Sequence, residues 1–247
     1  MLSTIAMTLL LGPFGQLEPG DTVRSLTVDG RERTYLVHVP PSYDGTKPFP
    51  VILIFHGGGS NARQMVRFCG LNEKADQAGF LAVYPNGTGR RERMLTWNAG
   101  NCCGYARWHN VDDVKFVRVL LKDLGKIAKI DPKRVYATGM SNGGMMAYRL
   151  ASELSEMIAA IAPVSGPMGT EKCHPNRPVS VIHFHGTEDL FAPFEGGRGR
   201  RSISQTEFYS VEHSIRAWVK ANGCPEAPVV ENEPDRTEDG TTVVRKT

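Results

Sequence analysis

The sequence predicts an α/β domain built on a mostly parallel, twisted sheet with helices on both faces. Three observations carry that expectation. Short apolar runs bounded by Gly and Pro alternate along the chain with stretches of helical periodicity, the pattern of right-handed βαβ crossovers. One run, Pro50–Phe55 (PVILIF), is apolar throughout, as central strands covered on both faces are. The chain has 247 residues, 40% of them hydrophobic and 22% charged, which suits one larger domain with a sizeable core and excludes a disordered or fibrous chain.

Residues 1–18 are set apart as a signal-like or loose segment, and 19–247 form the domain. Leu2–Phe14 (LSTIAMTLLLGPF) has the length and character of a secretory hydrophobic region, although the first basic residue is Arg24. Five cysteines (Cys69, Cys102, Cys103, Cys173, Cys224) lean the same way, so export to the periplasm or the exterior is expected, with one cysteine left over after pairing. Arg33–Val39 alternates with period two and stops at Pro40-Pro41, a strand. Pro50–Phe55 is the next strand, closed by His56-Gly57-Gly58-Gly59. A helix is predicted over roughly 62–77 and ended by Gly79, and Phe80–Tyr84 is a strand with a turn at Pro85-Asn86-Gly87. Asp112-Asp113 opens and caps a helix whose Val114, Val117, Leu120, Leu121, Leu124 and Ile127 fall at helical spacing. Strands at 134–138, 158–164 and 179–184 and helices at 142–154 and 207–221 complete the pattern. Thr241–Lys246 (TTVVRK) begins another strand.

Charge narrows the partners. Lys and Arg number 29 against 26 Asp and Glu, a net of +3 that is too small and too scattered for a nucleic-acid partner. No apolar run reaches the roughly 18 residues of a membrane-spanning helix.

Chemistry concentrates in Val135–Gly144 (VYATGMSNGG), which places G-x-S-x-G between a strand and a helix. There Ser141 sits on a sharp turn with its hydroxyl above the sheet, a nucleophile, and side chains at Gly139 and Gly143 would strike neighbouring elements. Acyl transfer also needs a pair of N–H donors for the oxyanion. Asn142, just after the serine, supplies one; the His56–Gly59 loop supplies the other through Gly58, with Gly59 as the alternative. Asp189, past a late strand in VIHFHGTED, is the acid that orients an imidazole, ahead of its neighbour Glu188. Trp97 and Asn98 are candidates to line the substrate pocket, with core packing as the other reading. His183 and His185 share a strand face with Asp189 beyond, a possible metal set, but no second cluster completes it and the serine turn would go unexplained.

HGGGSNA, YPNGTG, TWNAGNCCG, VDDVKF, RVYATGMSNGGMMAYRLA, VIHFHGTED and WVKANGCP together resemble the polyhydroxybutyrate depolymerase/feruloyl esterase group of α/β-hydrolases, from about Gly20 to the last residue. The resemblance implies a secreted serine carboxylesterase without metal or organic cofactor. It implies hydroxyalkanoate, feruloyl or acetyl esters as substrates, some of them polymeric, and it puts the nucleophile on Ser141, the acid on Asp189 and the oxyanion donors near Gly58 and on Asn142. The sequence departs from that pattern in one respect. The family's catalytic histidine lies in a G-G-H-T-W-P-G type segment, which is not present here. Of the seven histidines only His213 follows Asp189, mid-helix on a polar face. The expectation is therefore a protein that continues past Thr247 with a last strand, a catalytic-histidine loop and a cysteine bonded to Cys224. The chain as it stands is expected to have little turnover and an aggregation-prone sheet edge. Two other functions fit the same residues: a catalytically incomplete polymer-binding protein and a serine peptidase of related architecture.

Overall fold

Seven strands form the central sheet: β1 (Gly20–Val28), β2 (Arg31–Val39), β3 (Phe49–Phe55), β4 (Leu81–Pro85), β5 (Ile130–Met140), β6 (Ala160–Val164) and β7 (Ser180–Val181), in the spatial order β1-β2-β4-β3-β5-β6-β7. The computed structural model describes residues 17–247 apart from Glu92 and Glu238, so the signal-like 2–14 segment lies outside the described residues. β1 and β2 make an antiparallel hairpin and β2 runs antiparallel to β4; every later pairing is parallel. Asp29 and Gly30 both take positive φ, which closes that hairpin in the turn that D-G favours. The strand before it, β1, was not anticipated: its alternation is mostly between half-buried and exposed side chains, without an apolar stripe to mark it.

Helices cover both faces. On one lie α1 (Ala62–Cys69) and α2 (Leu71–Ala78), packed through Ala62, Met65 and Ala75 against Ile54, Ala82 and Tyr84. On the other lie α4 (Asp113–Ile127), α5 (Asn142–Glu153) and α6 (Val211–Asn222); the short α3 (Gly104–Trp108) falls between β4 and α4 in the chain. That second face buries Phe116, Leu120, Tyr148 and Trp218 against Val51, Leu53 and Phe55. Ile54 thus faces one layer while Leu53 and Phe55 face the other, which is why β3 is apolar at consecutive positions.

Three expectations are corrected. The single helix at 62–77 is two helices, because Gly70 turns left-handed at φ 62° between them. The strand at 179–184 keeps ladder pairing only over Ser180–Val181; Phe184 then bridges to Val164. Thr241–Lys246 does contain a strand, β9 (Val244–Lys246), but it pairs antiparallel with β8 (Val230–Asn232) in an exposed ribbon apart from the main sheet. Among the described residues no helix is long and apolar enough to cross a membrane. The ends of β3, β5, β6 and β7 point the same way, and the loops leaving them carry the candidate site.

Candidate active site

Ser141 occupies the single residue between β5 and α5, at φ 53° and ψ −119°. A side chain other than glycine held there costs roughly 1–3 kcal/mol and persists only where the surroundings fix it. They do: the Ser141 amide donates to Val164 O at 2.8 Å, and Met145 N–H donates to Ser141 O at 3.0 Å. The flanking glycines have the reasons the spacing suggested. A Cβ on Gly143 would overlap the Phe55 carbonyl oxygen of β3, and one on Gly139 would stand 2.6 Å from that same oxygen and from the Gly143 backbone.

The His56–Gly59 loop lies against this turn. A Cβ on Gly57 would be 3.8 Å from Ser141 Cβ, and one on Gly58 would be 3.6 Å from Asn142 Cβ. The Gly59 amide is already committed to Leu95 O at 2.8 Å. That favours Gly58 of the two alternatives. Asn142, the first residue of α5, has no intrahelical acceptor for its amide and sits at the positive end of the helix dipole. Both ring nitrogens of His56 are spent on the loops around it. Its Nε2 accepts from Gly87 N–H at 3.0 Å, its Nδ1 donates to Gly57 O at 2.8 Å, and burial pushes it down to about 4, so the ring is neutral.

Trp97 and Asn98 are both buried, and Asn98 also borders a cavity with Val111, Asp112, Lys115 and Arg149. Trp97 is wholly buried; its indole N–H donates to His56 O at 3.0 Å, and the Asn142 side-chain amide grips its backbone at both N–H (2.8 Å) and C=O (3.1 Å). The Asn98 side chain donates to Val111 O at 3.0 Å, while its own amide donates to Asp113 Oδ2 at 2.8 Å and its carbonyl accepts from Arg149 at 2.6 Å. These contacts are those of the packing reading. Asp112 caps α4 by accepting from Lys115 N–H, as expected, but Asp113 does not. It is buried beneath the loop in a 2.7 Å ion pair with Arg33, whose guanidinium lies 3.9 Å above the Phe116 ring. Burial pushes the Asp113 carboxyl up, against the hydrogen bonds that Arg33 and the Asn98 amide donate to its two oxygens. The sequence signal was the doublet itself, since one aspartate suffices as a cap.

On the far side of β6, Asp189 turns inward and Glu188 is exposed. Asp189 Oδ1 accepts the amides of Phe191 (2.8 Å) and Ala192 (3.0 Å), leaving Oδ2 3.6 Å from His185 Nε2. His183 and His185 are hydrogen-bonded to each other, and among the described residues no group of three or more potential metal ligands is found. His213 lies on the exposed side of α6 with its ring stacked 4.6 Å from Tyr209. Among the described residues no histidine is hydrogen-bonded to Ser141 Oγ. Cys69, Cys173 and Cys224 are not bonded to one another among the described residues.

A family model described as Esterase PHB depolymerase matches residues 33–187. A curated relative described as "Putative esterase NocK", from Nocardia uniformis subsp. tsuyamanensis, is 32% identical over 238 residues, covering 92% of this chain and 67% of its own. Feruloyl esterase B of Piromyces equi is 30% identical over 202 residues, 79% of this chain and 37% of its own length. The chain thus spans about two thirds of the first relative and little more than a third of the second. Among solved structures, a thermostable esterase superposes with a TM-score of 0.58 at 18% identity, covering 81% of this chain and 50% of that one. Native pOPH gives 0.55 at 17% identity over 71% of each chain. These neighbours share the α/β-hydrolase fold.

Proposed function

The chain belongs to the Esterase PHB depolymerase family of ester hydrolases, and on that premise we propose that it cleaves carboxylic esters through an acyl-enzyme on Ser141. The observation that carries the reading is the serine turn: a strained backbone at Ser141, glycines on either side with no room for a side chain, and a Gly-rich loop facing it. In this reading Ser141 Oγ attacks the ester carbonyl carbon and the C=O electron pair moves onto oxygen. The amides of Asn142 and Gly58 receive that charge. Collapse of the tetrahedral intermediate expels the alcohol and leaves the acyl group on Ser141; water then releases the acid. Asp189 braces its own loop through Oδ1, which leaves Oδ2 to orient the general base that takes the serine proton and returns it to the departing alcohol. The names of the relatives suggest feruloyl or acetyl esters borne on polymers as substrates, and the signal-like first residues suggest an exported enzyme.

The test is acylation. A short-chain nitrophenyl ester or a fluorophosphonate should modify Ser141, identified by peptide mass, and Ser141→Ala should abolish the modification. Because no histidine of the described residues is bonded to Ser141 Oγ, free imidazole added as a general base should accelerate acylation. Labelling at any other residue, or none even with imidazole present, would overturn the assignment.

A further inference from the structure

Beneath the acid loop runs a line of polar groups that the reaction above does not use. Tyr148 Oη lies 3.0 Å from His183 Nδ1, His183 Nε2 lies 3.0 Å from His185 Nδ1, and His185 Nε2 lies 2.7 Å from Ala192 O. The last partner settles the order of the protons. A carbonyl oxygen only accepts, so His185 carries a proton on Nε2. The side chain of His185 is 1% exposed and Tyr148 is fully buried, so the arrangement that satisfies every contact without burying a charge on the line has one proton on each ring. The depressed pKa of His183, caused chiefly by burial, agrees. His185 Nδ1 is then bare and accepts from His183 Nε2–H, and His183 Nδ1 is bare in turn and accepts from Tyr148 O–H. Every donor points the same way, from α5 towards the acid loop.

We propose that Tyr148, His183 and His185 are positioning residues that set the Asp189 carboxylate relative to the helix bearing Ser141. Ala192 is the joint. Its carbonyl receives the His185 proton while its amide donates to Asp189 Oδ1, so one peptide segment is shared between the histidine line and the acid. Phe194 meets the His185 ring edge-on at 6.0 Å and limits its rotation. Tyr148 lies on α5, whose first turn carries the elbow, so the nucleophile and the acid are mounted on one element from opposite ends of the line. The inference rests on the preceding reading only in naming Asp189 as the acid; the mounting itself is independent of it.

His183→Phe preserves a ring of similar size and removes both nitrogens, whereas His183→Gln offers an acceptor and a donor on one side chain. Amide hydrogen exchange at Phe191 and Ala192, both held by Asp189, reads the position of the acid directly. The Phe variant should exchange about tenfold faster at those two amides while α5 is unchanged, and the Gln variant should return them to within about twofold of the parent. Imidazole nitrogen shifts of the parent should place the proton on Nε2 in both histidines. If His183→Phe does not fold, Tyr148→Phe removes only the leading donor and should show the same exchange pattern more weakly. In ester hydrolysis with added imidazole the Phe variant should lose kcat with KM unchanged, and Gln should restore it. Exchange unaltered in His183→Phe, or in Tyr148→Phe where that is the variant that folds, or a proton on His185 Nδ1 alone, would overturn the proposal. A parent that never acylates Ser141 would refute the esterase reading instead, and the exchange result would still decide this one.

Discussion

Two histidines buried in neutral form should make the protein sensitive to mild acid. His56 and His183 each titrate at about 4 in the folded chain against an ordinary 6.5, and burial is the main cause for both. An unfolded chain takes up protons at these positions as pH falls below the ordinary value, while the folded chain resists until near its own lower value. Their contribution is therefore complete above about pH 6.5 and is lost progressively between there and about pH 4. Near pH 5 the loss is on the order of 2 kcal/mol for each ring. Asp44, Asp131 and Asp239, held low by hydrogen bonds from Thr46, Arg134 and Thr241, lose their contribution only below their ordinary 3.8, outside this window. Summed over both rings, the midpoint of thermal unfolding should fall by roughly 10 °C between about pH 7.5 and pH 5 for a domain of this size. The discriminating perturbation is His183→Gln, which keeps a donor and an acceptor but cannot titrate. Thermal melts followed by circular dichroism across the window should show the variant's midpoint falling about half as steeply as the parent's. Equal slopes would mean that His183 is not held neutral in the fold, and the reasoning would fail.

The elbow offers a second measurement. Ser141→Gly should be more stable than Ser141→Ala by about 1 kcal/mol in urea, since glycine relieves the left-handed strain and gives back only part of that gain in backbone entropy; an alanine form that is the more stable would disprove strain at this residue. Asp113→Ala should destabilise by about 3–5 kcal/mol, because Arg33 is left charged and buried without its partner. Urea midpoints within error of the parent would show that the pair is not what holds the Trp97–Asn98 loop.

The parts of the fold legible in the sequence are those set by neighbours along the chain. The serine turn could be read because its glycines are needed within two residues of Ser141, and β3 because a strand covered on both faces must be apolar at consecutive positions. Chain order put an acid after the serine but could not by itself separate Asp189 from the adjacent Glu188; the structure turns the first inward and leaves the second exposed. What was not legible depends on distant partners. Asp113 was read as a cap because its partner Arg33 stands 80 residues upstream, and nothing local announces that pairing. Trp97 stayed open between pocket wall and core because a loop aromatic with a polar handle suits either; its handle is spent on His56 O, a contact 41 residues away. The break at Gly70 was hidden by apolar periodicity continuing on either side of it.

Why the loops around Ser141 are tied so heavily follows from the strain at the turn itself. A residue held at positive φ would relax if its neighbours let it, at a gain of roughly 1–3 kcal/mol, so the neighbours must together resist more than that. Ser141 is anchored to β6 through Val164, and Asn142 is anchored to Trp97 through two hydrogen bonds. Trp97 in turn is anchored to His56, and the next residue, Asn98, to the Asp113–Arg33 pair. Each ordinary hydrogen bond contributes about 1 kcal/mol net, so no single tie suffices, whereas the set exceeds the strain comfortably. The same ties aim the Asn142 amide while its side chain is occupied elsewhere. A donor that is already fixed needs no reorganisation when charge develops on a substrate oxygen. The buried polar groups between β2, α4 and the Trp97 loop, which add little to stability as charges, are thus accounted for by what they hold still.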